Sequence, residues 1–194
     1  MADLDNQRAP VNDSVELVEG RDCGGCTMCC KLLPIAEIDK PRFEWCPHCD
    51  IGVGCTIYSQ RPGACRTFLC SYLVSPDLGP EWKPSRSRIV LTYEEGPGRI
   101  GIHVDPDRPD AWRREPYYSR IRGWAEAAVR SDGQVIVWEG PSAIAVLPGR
   151  EKKLGSVPAG HVIVYGQRSS AVGVEHDVIV VPPDDPRLKE GEST

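Results

Sequence analysis

Nine cysteines lie within the 48 residues from Cys23 to Cys70, and the other three-quarters of the 194-residue chain has none. They fall in three groups: Cys23, Cys26, Cys29 and Cys30 in CGGCTMCC, Cys46, Cys49 and Cys55 in WCPHCDIGVGC, and Cys65 and Cys70 in RPGACRTFLC. Thiols gathered this densely serve as disulfides, as a redox dithiol, or as thiolate ligands of a metal. The opening residues, MADLD, are acidic and lack a basic start or an apolar run, so no secretory signal is expected. A cytoplasmic setting follows as the expectation. Thiols are kept reduced there, and the odd count also speaks against structural disulfides.

Spacing then separates the two remaining chemistries. Cys23-Gly24-Gly25-Cys26 sets two sulfurs on one tight turn, and its glycines allow the positive φ and close backbone approach of a metal knuckle. Cys26-Thr27-Met28-Cys29 repeats the interval, so Cys23, Cys26 and Cys29 match the first three positions of a bacterial ferredoxin run. Its fourth cysteine is missing. Cys30 instead follows Cys29 directly, and adjacent side chains diverge in most conformations, which points to two nearby centres or a cluster that spreads its ligands. Cys46-Pro47-His48-Cys49 is a second knuckle, with His48 as an optional ligand. The same tetrapeptide equals the motif of a thiol oxidant, but that mechanism needs a following helix, and Asp50-Ile51-Gly52-Val53-Gly54 is too broken by glycine to supply one.

Beyond Cys55, Pro62 suits the first position of a helix, and Cys65, Phe68, Leu69, Tyr72 and Leu73 recur on one face at helical spacing. On such a helix Cys65 faces inward. Cys70 lies about 140° away and is the candidate for a spare thiol or a second centre. Thiolate sites need compensating charge, and the window holds Lys31, Lys40, Arg42, Arg61 and Arg66 against Glu37, Asp39, Glu44 and Asp50. Arg61 and Arg66 flank Cys65 and are the expected donors to sulfur or to a neighbouring carbonyl.

These residues carry a resemblance. Cys23-x2-Cys26-x2-Cys29-Cys30, WCPHC, and Cys55-Thr56-Ile57-Tyr58 followed by Arg61-Pro62 and Cys65-Arg66-x-Phe68 resemble the CxxCxxCC cysteine-cluster family over residues 22–73. That family is described as a zinc- or iron-chelating domain, and what the resemblance implies is chelation by these cysteines. Some longer relatives are associated with flagellin lysine N-methylation. This chain shows no glycine-rich nucleotide or methyl-donor loop, so that activity is not carried over.

The remaining chain must position or accompany the cluster. Residues 1–20 are acidic and without apolar period, and are expected to be disordered. A small irregular cysteine-rich, metal-bound domain is expected over 21–80, an α+β domain over 81–181, and a disordered acidic tail over 182–194. In the α+β part, strands are expected at 86–94, 99–104, 134–139, 143–147, 161–165 and 176–181. A helix opening at Pro116 carries Tyr117, Ile121, Trp124 and Ala128 at helical spacing and ends at Asp132-Gly133. This order predicts an antiparallel sheet with one packed helix.

Composition bounds the function. Hydrophobic residues make up 40% and charged residues 26%, as in soluble globular chains, and no run is long enough for a membrane span. A net charge of −5 argues against nucleic acid, so neither nucleic acid nor membrane is an expected partner. No catalytic residue is assigned, since no nucleophile elbow is present and the acids lie at turns. The expected function is a metal-chelating protein, structural or regulatory, with zinc or iron held by Cys23, Cys26, Cys29, Cys30, Cys46, Cys49, Cys55, Cys65 and Cys70. One alternative is an iron–sulfur protein in electron transfer or redox sensing. The other, ranked last, is a metal-dependent enzyme or an accessory to a modification system.

Overall fold

The computed structural model describes residues 16–170 and 173–188. The chain divides into two compact units between Val90 and Leu91. The sequence places this boundary at residue 80. The difference arises because Trp82, Pro84, Ser87 and Val90 are buried, and Val90 joins the apolar cluster of the first unit.

Short elements make up the first unit. Helix α1 is Met28–Leu32, the strand pair is β1 Cys49–Asp50 and β2 Gly54–Cys55, and α2 Gly63–Thr67, α3 Ser71–Val74 and α4 Pro84–Ser87 follow. No described helix here exceeds five residues. Such helices are far below the length at which propensity sustains a helix alone, so tertiary contacts must hold them. The apolar cluster is small: Met28, Leu32 and Val90 are buried, and Cys26, Leu33, Phe43, Phe68 and Cys70 pack against them.

The expected single helix from Pro62 through Leu73 is broken. Phe68 turns extended at ψ 123° and Cys70 at ψ 147°, which separates α2 from α3. The break lets Phe68 and Cys70 both reach the Met28–Leu32–Val90 cluster. The angular argument that set Cys70 apart from the other thiols falls with the helix.

Residues 1–15 of the expected disordered lead-in lie outside the described residues. Residue 18 is tied down, with the Val18 N–H donating to Leu73 O at 2.8 Å. Nearby, the Arg21 guanidinium donates to Tyr72 O at 2.6 Å and Ser75 O at 2.9 Å while lying over the Tyr72 ring.

The second unit holds most of the sheet. Strand β3 is Ile89–Glu94 and runs across the division; β4 Arg99–Val104, α5 Tyr117–Ala128, β5 Gln134–Glu139, β6 Ser142–Leu147, β7 Arg150–Ser156, β8 Val162–Ser170 and β9 Gly173–Val181 follow. Strands β3 to β7 form one sheet in that order, and β8 and β9 form a separate antiparallel ribbon. The α+β class expected from the sequence is observed. The five-stranded sheet is mixed rather than antiparallel, since β4 and β5 pair in parallel with α5 as the crossover between them.

Alternation explains the layers. Ile136, Ala145 and Leu147 point into a cluster with Ile163 and Val178 of the ribbon, while Val135, Val137, Ile144 and Val146 are buried on the opposite face. Helix α5 packs on β5 and β6 and buries Ile121 and Ala125. Strand β7, unforeseen in the sequence, reads REKKLGS: it lies at the sheet edge, where a polar strand needs no apolar alternation. Of the expected disordered tail, residues 189–194 lie outside the described residues, and 182–188 form a turn and the 3-10 helix Pro186–Leu188.

Candidate metal centre

All nine cysteines are free thiols. Cys46 is buried, Cys23 exposed, and the other seven half-buried. Both CxxC segments close as knuckles: the Cys26 N–H donates to Cys23 O at 2.8 Å, and the Cys49 N–H to Cys46 O at 3.0 Å. In the first, Gly24 adopts φ +42°, and a Cβ on Gly25 would stand 2.3 Å from Gly52 O. The two glycines thus do different work, one making the turn and the other letting the knuckle lie against the β1–β2 turn. Thr27 fastens the same contact, its Oγ1 accepting from the Gly52 N–H at 3.1 Å.

The β1–β2 pair places Cys49 opposite Cys55. The Cys46 N–H donates to Cys30 O at 3.0 Å, so the second knuckle is hung from α1, the helix bearing Cys29 and Cys30. Side-chain hydrogen bonds then link Cys30 to both Cys29 and Cys49, with Thr27 adding one to Cys49. Cys65 reaches the group from α2. Glu37 holds that helix by accepting from the Ala64 N–H at 3.3 Å, and the charges Cys65 feels most among its neighbours are Cys30, Cys46 and Cys55. Cys70 stands elsewhere: it shares the Met28–Leu32–Val90 cluster with Cys26, and its thiol neighbours are Cys23 and Cys26.

Five of the thiols are raised above the ordinary range. The hydrogen bond to Cys29, and then burial, raise Cys30 far above the ordinary thiol range. Burial, followed by the Cys30 charge, pushes Cys49 up to about 12. Burial likewise pushes Cys70 up to about 11 and raises Cys23 and Cys65. Among the described residues, no three or more histidine, cysteine, aspartate or glutamate side chains are arranged to hold one ion in common. The donor set itself, soft sulfur in abundance around two knuckles, suits a thiophilic ion.

Cations are distributed differently from the sequence expectation. Arg66 donates to Arg61 O at 2.9 Å, and Arg61 lies over the Tyr58 ring at 4.1 Å, its charge being felt at Cys23. Lys40, which the sequence counted among the compensating cations behind Arg61 and Arg66, is drawn into the interior at the end of α1. Lys40 is 4% exposed, and its Nζ donates to Lys31 O at 2.9 Å and to Leu33 O. Lys31 is also buried, its ammonium over the Trp45 ring at 5.6 Å. The signal for Lys40 was weak: a lone lysine before Pro41 reads as a surface turn residue.

His48 is half-buried and contributes its backbone carbonyl, which accepts from Thr56 N at 2.9 Å. Strand β1 and a turn follow the CPHC tetrapeptide, so its first cysteine has no helix N-terminus to activate it, as the glycines predicted.

In the second unit several polar side chains are engaged in pairs. His103 Nε2 lies 3.1 Å from Thr92 Oγ1, Trp112 Nε1 donates to Glu139 at 2.6 Å, and Lys152 donates to Asp177 at 2.7 Å. No described helix is long and apolar enough to cross a membrane. No family model, curated protein or solved structure matches the chain.

Proposed function

We propose that residues 23–70 form a cysteine metal centre, with zinc or iron bound as thiolate complexes whose formation holds the first unit together. The observation that carries the reading is the drawing together of the two knuckles, the first lying with Gly25 against Gly52 O and the second hung from Cys30 O by the Cys46 N–H, in a unit whose described helices have no more than five residues. Metal binding supplies folding free energy directly to such a loop-rich segment. The resemblance to the CxxCxxCC cysteine-cluster family supports the same reading, as does the pair of glycine-assisted knuckles. Its role is structural or regulatory, in a cytoplasmic protein that does not bind nucleic acid.

A second form of the reading has its own support. The Cys23, Cys26, Cys29 spacing is that of iron–sulfur proteins, and more thiols are present than one zinc ion requires. Elemental and sulfide analysis of anaerobically purified protein tests both. Zinc in a colourless protein supports the structural centre, while iron with acid-labile sulfide supports the cluster. A freshly purified, reduced and folded chain containing neither metal overturns the proposal.

A further inference from the structure

Two half-buried thiols face each other across the short β1–β2 pair. The strands run antiparallel with Cys49 opposite Cys55 and Asp50 opposite Gly54. Continuing that register puts His48 opposite Thr56, and the Thr56 N–H donates to His48 O at 2.9 Å. His48 and Thr56 are thus a hydrogen-bonded pair. The two kinds of pair alternate along an antiparallel ladder, so Cys49 and Cys55 are a non-hydrogen-bonded pair, the kind whose side chains lie closer. There the Cα atoms stand about 4.5 Å apart, and both side chains leave the same face of the ribbon. A disulfide needs Cα atoms about 4.4–6.8 Å apart, so the backbone already holds these two cysteines at bonding span. The turn that joins the strands is open to solvent, with Ile51 58% and Val53 71% exposed, whereas Cys46, the partner that the CPHC tetrapeptide offers Cys49, is buried.

We propose that Cys49 and Cys55 are a redox pair, which a small-molecule disulfide converts into a cross-strand disulfide. In the first step one of the two thiols loses its proton and attacks a sulfur of the small disulfide, forming a mixed disulfide and releasing one small thiol. In the second, the facing thiol attacks the protein-bound sulfur, which closes the Cys49–Cys55 bond and releases the other small thiol. The protein gives up two electrons to the small disulfide, and the two protons leave on the released thiols. No ion takes part, so the reaction is independent of the metal reading. The bond ties together the hairpin on which the first knuckle lies through Gly25 and Thr27.

The test needs no variant. Reduced full-length protein is incubated with glutathione disulfide without denaturant, its remaining thiols are alkylated, and the chain is cleaved before Asp50, which separates Cys49 from Cys55. Tandem mass spectrometry then locates the bond. Peptides joined through Cys49 and Cys55 are expected, with loss of alkylation at both. Cys49 joined to Cys46 or Cys30, Cys55 joined to Cys65, or both thiols still open to alkylation overturns the inference. Metal is measured in the same samples. Release in step with the bond supports the pair and sets both sulfurs in the centre, whereas the bond forming with metal retained supports the pair and removes Cys49 and Cys55 from the metal reading. A chain purified without zinc or iron that forms the bond sustains the pair and overturns the metal centre alone.

Discussion

At Cys30 the proposed metal would compete most directly with a proton. Its sulfur is hydrogen-bonded to Cys29 and Cys49, and that network, with burial, holds Cys30 and Cys49 protonated well above neutral pH, Cys49 to about 12. Each ligating thiol must therefore surrender a proton to the incoming ion. Because these values are raised above the ordinary 9.0, the thiols are protonated throughout the range below pH 9, and affinity should climb with pH across it. Calorimetry of zinc uptake at pH 7, in buffers of different ionisation heat, should show close to one proton released per ligating cysteine. Zinc uptake with no proton release, and a flat affinity between about pH 7 and 9, would count against these thiols as ligands. Cys70 belongs in the same account. Its thiol neighbours are Cys23 and Cys26, so it stands with the first knuckle rather than apart from the cluster.

Between elements, the decisive contact is the one that lays the first knuckle on the β1–β2 turn. A Cβ on Gly25 would meet Gly52 O at 2.3 Å, a distance at which backbone must move. Gly25→Ala should therefore displace the knuckle, break the Thr27–Gly52 hydrogen bond and lower metal content. At an open position such as Gly52→Ala the added Cβ meets nothing within 4 Å, although its φ of +80° adds strain. Metal content and thermal midpoint of the two variants, measured side by side, should show the larger metal loss for Gly25→Ala. Equal metal content in Gly25→Ala and wild type would refute the contact's importance. The same scale explains the failed helix. Periodicity from Cys65 to Leu73 satisfies a helical template, but a continuous helix would not bring Phe68 and Cys70 together onto Met28, Leu32 and Val90. Local pattern lost to tertiary packing. Strand β7 escaped notice for the opposite reason, having no apolar pattern to read because its pairing with β6 comes from the backbone.

On the proposed metal centre, the two units are stabilised by different means, and each should respond to its own perturbation. The sheet unit has a layered core of fully buried side chains such as Ile136, Val137 and Val178. The cysteine unit has helices too short to stand alone. A strong chelator added to the full-length protein should therefore speed amide exchange in α1, β1 and β2, and leave β5 and β6 protected. Uniform exchange in both units, or none in either, would contradict this division of labour. The sequence alone raised the metal-type chemistry proposed here, because thiol spacing is a covalent property of the chain, and it placed β4 and β5 to the residue, β4 by the alternation of Ile100, Ile102 and Val104 and β5 by its apolar run from Val135 to Trp138. Tertiary structure alone decided how the two knuckles come together, that β4 and β5 run parallel, and where one unit gives way to the next. Those are relations between residues distant in the chain, set by packing and backbone pairing, and no local period encodes them.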